Sequence, residues 1–217
     1  ISLARASKLT RMAYCFYRQV AWNPSKRLRV WFSDVSAFRH TLRKYGAIIS
    51  GSFALQFFDR TFYAGSDMDI FIRGAAAIDM CQWMLTQNYR YVARPTESDS
   101  TTPYPRHIQQ ARRVKNGSSL SLLAVYTFQK FIGTKEGYVE ILKVQVIVLD
   151  VDPIEHILLN FHSTVVMNFL TADDAVSIFP YSTLFEHKAY ISRAKKENKE
   201  RASEWKKKYK ERGFNLV

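Results

Sequence analysis

Ile48-Ile49-Ser50-Gly51-Ser52, followed after a phenylalanine-rich segment by Ser66-Asp67-Met68-Asp69-Ile70-Phe71, is the stretch on which the reading of this chain turns. Residues 47–49 are apolar and suit a buried strand, and Gly51 permits a sharp turn. Residues 53–58 (Phe-Ala-Leu-Gln-Phe-Phe) begin a helix whose first backbone N–H groups have no internal partner, an arrangement that favours an anion such as a triphosphate tail. Asp67 and Asp69 lie two apart in an otherwise apolar run. On a strand both carboxylates therefore point from one face while Met68 and Ile70 point to the other. Two parallel carboxylates form a potential Mg²⁺ site. The plain alternative is that Gly51-Ser52 is an ordinary strand-to-helix turn and that the two aspartates sit on a solvated strand edge.

An apolar strand, Gly-Ser, a short helix, and then a strand carrying Asp-x-Asp with a preceding serine, here Ser66, together resemble the DNA polymerase β-type nucleotidyltransferase superfamily. Residues 50–58 and 161–169 also resemble an uncharacterised fungal branch of nucleotidyltransferase-like proteins, which brings no established substrate. The resemblance implies an α/β (α+β) fold in which helices flank a mixed sheet, and a nucleoside triphosphate bound with Mg²⁺ or Mn²⁺. The expected reaction is transfer of a nucleotidyl group to a hydroxyl on RNA, protein or a small molecule. Carried over residue by residue, the Gly51 backbone, Ser52 and Ser66 would hold the nucleotide and Asp67 and Asp69 the metal. Lys143, or the arginines of the 94–119 loop, would neutralise developing charge.

In that superfamily a third carboxylate comes from a later strand. The matching run here is residues 141–148, Ile-Leu-Lys-Val-Gln-Val-Ile-Val, which contains no acid. Gln145 occupies the place where an aspartate is expected, and an amide binds Mg²⁺ weakly and is no base at neutral pH. Glu140 and Asp150 each lie five residues from Gln145, ~17 Å along an extended strand. This departure puts catalysis in doubt. The first rival to an active enzyme is therefore a catalytically lapsed nucleotidyltransferase fold acting as a nucleic-acid-binding or scaffold module. A second is a toxin-like transferase that modifies a tRNA end or a partner protein.

Composition narrows the setting. The chain has 217 residues, 47% of them hydrophobic and 14% aromatic, enough for one domain with appendages. Cys15 and Cys81 have no second Cys or His at ligand spacing, which argues against a disulfide framework or a zinc site and for an intracellular home. No apolar run reaches the ~20 residues that span a bilayer, so no membrane is expected. The net charge of +13 is unevenly spread. Residues 1–45 carry ten Lys/Arg against one acid, residues 186–217 eleven against five, and the middle eleven against thirteen. Basic ends of this kind suit RNA or DNA, although the terminal run is equally compatible with a solvated helix of mixed charge.

The expected organisation is a basic arm (1–33), a nucleotidyltransferase-like core (34–152) and a helical C-terminal portion ending in a basic helix (153–217). The arm has no acidic residue, a composition shared by organellar presequences and nucleic-acid arms, and its aromatic content favours a docked arm. Ser33-Asp34 predicts a helix cap before a stripe of Val35, Phe38 and Leu42. Residues 75–87 predict a helix with Ile78, Cys81, Trp83 and Leu85 partly facing inward. Residues 94–119 predict a basic surface loop, with Tyr104, Arg106 and His107 as candidate contacts to a base or phosphate. Residues 122–132 and 138–149 predict a hairpin. Asp152-Pro153-Ile154-Glu155 predicts a capped helix with an apolar face of Ile154, Ile157, Leu158 and Phe161. Residues 173–179 and 183–210 are expected to be helical, with Pro180 as the break. His156 and His162 are expected to be core or surface histidines rather than ligands, and Ser163, Thr164 and Asn168 structural polar groups.

Overall fold

The computed structural model describes residues 7–93, 121–133, 137–192 and 199–217. The expected 94–119 loop, with Tyr104, Arg106 and His107, lies outside the described residues, as do residues 134–136 of the hairpin turn. The chain divides into two units, residues 1–38 and 39–217.

In the first unit, helices α1 (Lys8–Ala21) and α2 (Pro24–Leu28) lead into α3 (Val35–Tyr45), within which the unit boundary falls. Asn23 caps α2 by accepting from the Ser25 amide, and Pro24 occupies the first turn, where a missing N–H costs nothing. Asp34 caps α3 by accepting from the Ala37 amide at 2.8 Å, as expected. Phe32 and Phe38 stack with ring centroids 4.0 Å apart.

The second unit is built on a seven-stranded mixed sheet of order β3-β4-β5-β2-β1-β6-β7. Its strands are β1 (Ile48–Ser50), β2 (Met68–Arg73), β3 (Arg90–Val92), β4 (Leu122–Gly133), β5 (Val139–Leu149), β6 (Asn168–Leu170) and β7 (Ala175–Ser177). Helix α4 (Gly51–Asp59) joins β1 to β2, α5 (Ala77–Thr86) follows β2, and α6 (Pro153–Asn160) follows β5. β1 runs antiparallel to β2, and β2 runs parallel to β5. Alternation along β2 and β5 sends Met68, Ile70, Val144 and Val146 to one face, where all four are fully buried. The opposite face gathers Ile48, Phe71, Leu149, Ile157, Met167 and Phe169 into a second apolar cluster. The mixed α/β class expected from the sequence is therefore present.

Several helical expectations are corrected. In α5 Cys81 is buried and Ile78 and Trp83 half-buried, as expected, whereas Leu85 is exposed and the buried face is completed by Ala77, Met80 and Met84. In α6 only Ile157 of the expected stripe is fully buried, and Ile154 and Leu158 face solvent. The largest correction concerns residues 153–217. Residues 173–179 do not form a helix: β6 and β7 make a tight hairpin that extends the main sheet, closed by Thr171, whose hydroxyl accepts from the Asp173 and Asp174 amides. Residues 183–192 hold the end of a short helical turn (Tyr181–Phe185) and strand β8 (Lys188–Ala189). The terminal helix α7 spans Lys199–Glu211 and is followed by β9 (Asn215–Leu216), which pairs in parallel with β8. Trp205, Tyr209 and Phe214 anchor this end in a cluster with Leu55, Val165 and Val166.

Candidate functional site

The sheet register assembles the acidic half of the site. Asp69 pairs across the sheet with Ser50 on β1 and with Gln145 on β5. Asp67 lies one residue ahead of β2, so the acid pair straddles the strand's beginning rather than lying wholly within it. Its Oδ2 accepts from Gln145 Nε2 at 3.1 Å and lies 2.9 Å from Lys143 Nζ. Lys143, Gln145, Asp67 and Asp69 thus occupy one neighbourhood, and Gln145 stands beside the acid pair as the strand alignment required.

Gly51 explains why the turn and the acids are inseparable. Its φ is +68°, and a Cβ there would come 2.3 Å from Asp69 Oδ2. A side chain at residue 51 would occupy the space that the carboxylate uses. Ser50 is spent on structure, since its hydroxyl donates to the Asn168 carbonyl at 2.6 Å while the Asn168 amide donates to the Val165 carbonyl.

The other half of the site comes from the C-terminal end. Arg212 lies just past α7. Its Nη1 donates to Ser52 Oγ at 3.0 Å and its Nη2 to Ser66 Oγ at 3.4 Å, and its guanidinium carbon sits 3.9 Å from the Tyr63 ring centroid. Both serines expected to hold the nucleotide are therefore joined by one arginine. The segment between them is fixed by Gln56, which donates to the Ser52 carbonyl and accepts from the Tyr63 amide. Gly51, Ser52, Asp69, His162, Lys208 and Tyr209 border a cavity of about 220 Å³.

The electrostatics follow from this crowding. Burial, reinforced by the Asp67 charge, pushes the Asp69 carboxyl up to about 7, and Lys208 and Lys143 oppose the shift. The group keeps some accessible surface because it faces the cavity. Lys208 is exposed at the cavity mouth, yet partial desolvation of its ammonium, together with Arg212, holds it below the usual lysine range. His162 stacks on Trp205 with ring centroids 4.1 Å apart, and burial, followed by Lys208, lowers its pKa to about 4, which keeps the imidazole neutral at pH 7. His156 shares a hydrogen bond of 2.5 Å with Ser121 Oγ away from the acids.

Asp67, Asp69, Gln145, Lys143, Gly51, Ser52 and Ser66 thus lie in one neighbourhood. Lys208, Tyr209 and Arg212 were not anticipated. The available signal was the spacing 205, 208, 209, 212, which puts two aromatics and two cations on neighbouring positions of one helical face.

As a resident Mg²⁺ site the donor set fits poorly. Among the described residues no group of three or more Asp, Glu, His or Cys side chains is placed to hold a metal. Asp67 is already engaged by an ammonium and an amide N–H, the third donor is the neutral Gln145, and two lysines, Lys143 and Lys208, act on the carboxylates. Among the described residues no helix is long and apolar enough to cross a membrane. No family model, curated protein or solved structure matches this chain.

Proposed function

We propose that this protein is a nucleotide-binding member of the nucleotidyltransferase-like group in which phosphoryl chemistry has lapsed. One observation carries the reading: Asp67 Oδ2 is held from two sides by Lys143 and Gln145, with the amide in the place of a third carboxylate. Support for the architecture comes from the strand order around the site. A Gly-Ser turn follows β1, the aspartates begin an antiparallel neighbour β2, and the third position lies on β5, parallel to β2. Nucleotide binding is supported by Ser52 and Lys208, which border the cavity beside the turn, and by Arg212, which joins Ser52 to Ser66 next to it. What these residues do is bind and orient an anionic tail. At the third position Gln145 cannot accept a proton at neutral pH, so the expected general base is missing from that strand.

Nucleic acid is the larger ligand that the basic ends suit, and exposed Lys207 and Lys210 on α7 extend the positive charge beyond the cavity. Titration calorimetry with ATP, GTP, CTP and UTP, followed by transfer assays with the labelled nucleotides on RNA and protein acceptors, tests the reading. Binding without transfer is expected, and multiple-turnover transfer by the wild type would refute the lapse.

A second reading, an active transferase, is favoured by one feature. Gly51 leaves room for Asp69 beside the phosphate-binding turn, a close fit that a purely structural turn does not need. On that reading Gln145→Asp, which supplies the absent acid, raises a slow basal rate. A Gln145→Asp variant as silent as the wild type speaks for lapse.

A further inference from the structure

The acid pair and the cations around it form a closed charge arrangement, and that arrangement specifies how a ligand is held. Asp67 and Asp69 contribute two negative charges at most; Lys143 and Lys208 act on them with two positive ones, and Arg212, which acts on Lys208, adds a third beside them. Lys143 Nζ lies 2.9 Å from the Asp67 oxygen that Gln145 also occupies. A divalent cation would have to displace that ammonium, find near-octahedral oxygen ligands at ~2.1 Å, and do so in a cluster already carrying excess positive charge. The same excess attracts an anion. On the far side of the turn, Arg212 bridges Ser52 and Ser66 with its guanidinium braced on Tyr63, and Lys208 stands at the mouth of the cavity. A planar guanidinium flanked by two serine hydroxyls matches the oxygens of a polyphosphate. At about 220 Å³ the cavity accommodates a phosphate tail rather than a whole nucleotide.

We propose that Lys143 stands where a metal ion would otherwise sit, so that the site takes a polyphosphate tail without a divalent cation, on a subsite formed by Ser52, Ser66, Lys208 and Arg212. This rests on the nucleotide-binding reading above, and it adds two statements: the binding is independent of metal, and the terminal residues of the chain supply the anion contacts.

Two titrations of the full chain test it. Inorganic tripolyphosphate, added with EDTA or with millimolar Mg²⁺, is expected to bind with affinities that agree within about twofold after correction for Mg²⁺ complexation, and Arg212→Met is expected to weaken binding about tenfold or more. Binding that collapses in EDTA overturns metal independence. Binding unchanged by Arg212→Met, with Lys208→Met also silent, overturns the subsite. Mn²⁺ titration followed by electron paramagnetic resonance, without any phosphate, isolates the role of Lys143. Wild type and Lys143→Arg should exclude Mn²⁺, and Lys143→Met should bind it at least about tenfold more tightly. Equal Mn²⁺ affinity in wild type and Lys143→Met overturns the displacement. If Lys143→Met does not fold, Mn²⁺ uptake by wild type at the acid pair, lost in Asp67→Asn, does the same. Absence of tripolyphosphate binding under every condition sinks the nucleotide reading, while the Mn²⁺ titration still decides what Lys143 does.

Discussion

The two halves of the site are made by different physics. On the sheet side, Asp69, Gln145 and Ser50 stand together because strand pairing fixes them, and the acids are close to one another in sequence. On the helix side, Arg212 reaches Ser52 across 160 residues, and nothing local requires it to do so. It is carried there by Trp205, Tyr209 and Phe214, which bury the end of the chain against α4 and the residues after α6. The first half is thus specified by register and the second by tertiary closure. A change in the apolar anchor should therefore disable the cationic half while leaving the acidic half intact.

The largest effect is expected at that anchor. Trp205→Ala removes a buried indole stacked on His162 and should cost about 3–5 kcal/mol in urea unfolding, with loss of nucleotide binding even under conditions where the sheet remains folded. Full retention of binding would mean that α7 does not supply the anion contacts.

Gly51→Ala probes the sheet side. A Cβ placed 2.3 Å from Asp69 Oδ2 on a residue with φ of +68° should destabilise by about 2–4 kcal/mol. The double variant Gly51→Ala/Asp69→Ala should recover the steric part and leave the backbone part, about 1 kcal/mol. Strict additivity of the two changes would contradict the close approach.

Charge burial gives the next effect, and its sign is fixed. The unfolded chain releases the Asp69 proton near 3.8 and the folded chain only near 7, so stability falls as pH rises across that interval. Asp69→Asn should therefore stabilise by on the order of 4 kcal/mol above pH ~7 and give no gain below pH ~4. His162 acts in the opposite sense. Its imidazole is held at about 4 against an ordinary 6.5, so its contribution is present above 6.5 and lost as pH falls toward 4. The two slopes largely cancel in wild type, and Asp69→Asn should expose the histidine slope as acid-side destabilisation. Thermal melts over this pH range check both signs.

The smallest effect on stability is expected at the half-exposed Lys143–Asp67 pair, where Lys143→Met should cost less than about 1 kcal/mol. A larger loss would make the pair a structural element of the central strands instead of a modulator of the ligand site.

The same contrast accounts for what the sequence disclosed. The turn at Gly51, the acids at Asp67 and Asp69, and the position of Gln145 were legible because strand periodicity and a glycine turn are local signals. The Asp152 cap, accepting from the Ile154 and Glu155 amides, was legible for the same reason. The hairpin of β6 and β7 was not, since three-residue strands carry no readable alternation and the pairing of β6 with β1 is remote in sequence. Residues 199–211 announced a charged helix, but charge balance obscured the face that Trp205 and Tyr209 bury, and with it the placement of Lys208 and Arg212.

The most direct test of the account is a crystal structure of the full chain grown with a non-hydrolysable ATP analogue and Mn²⁺. The account predicts phosphate density against Ser52, Ser66, Lys208 and Arg212, with Lys143 still on Asp67 and no Mn²⁺ between Asp67 and Asp69. Anomalous density for Mn²⁺ bridging the two aspartates, with Lys143 swung away, would contradict it.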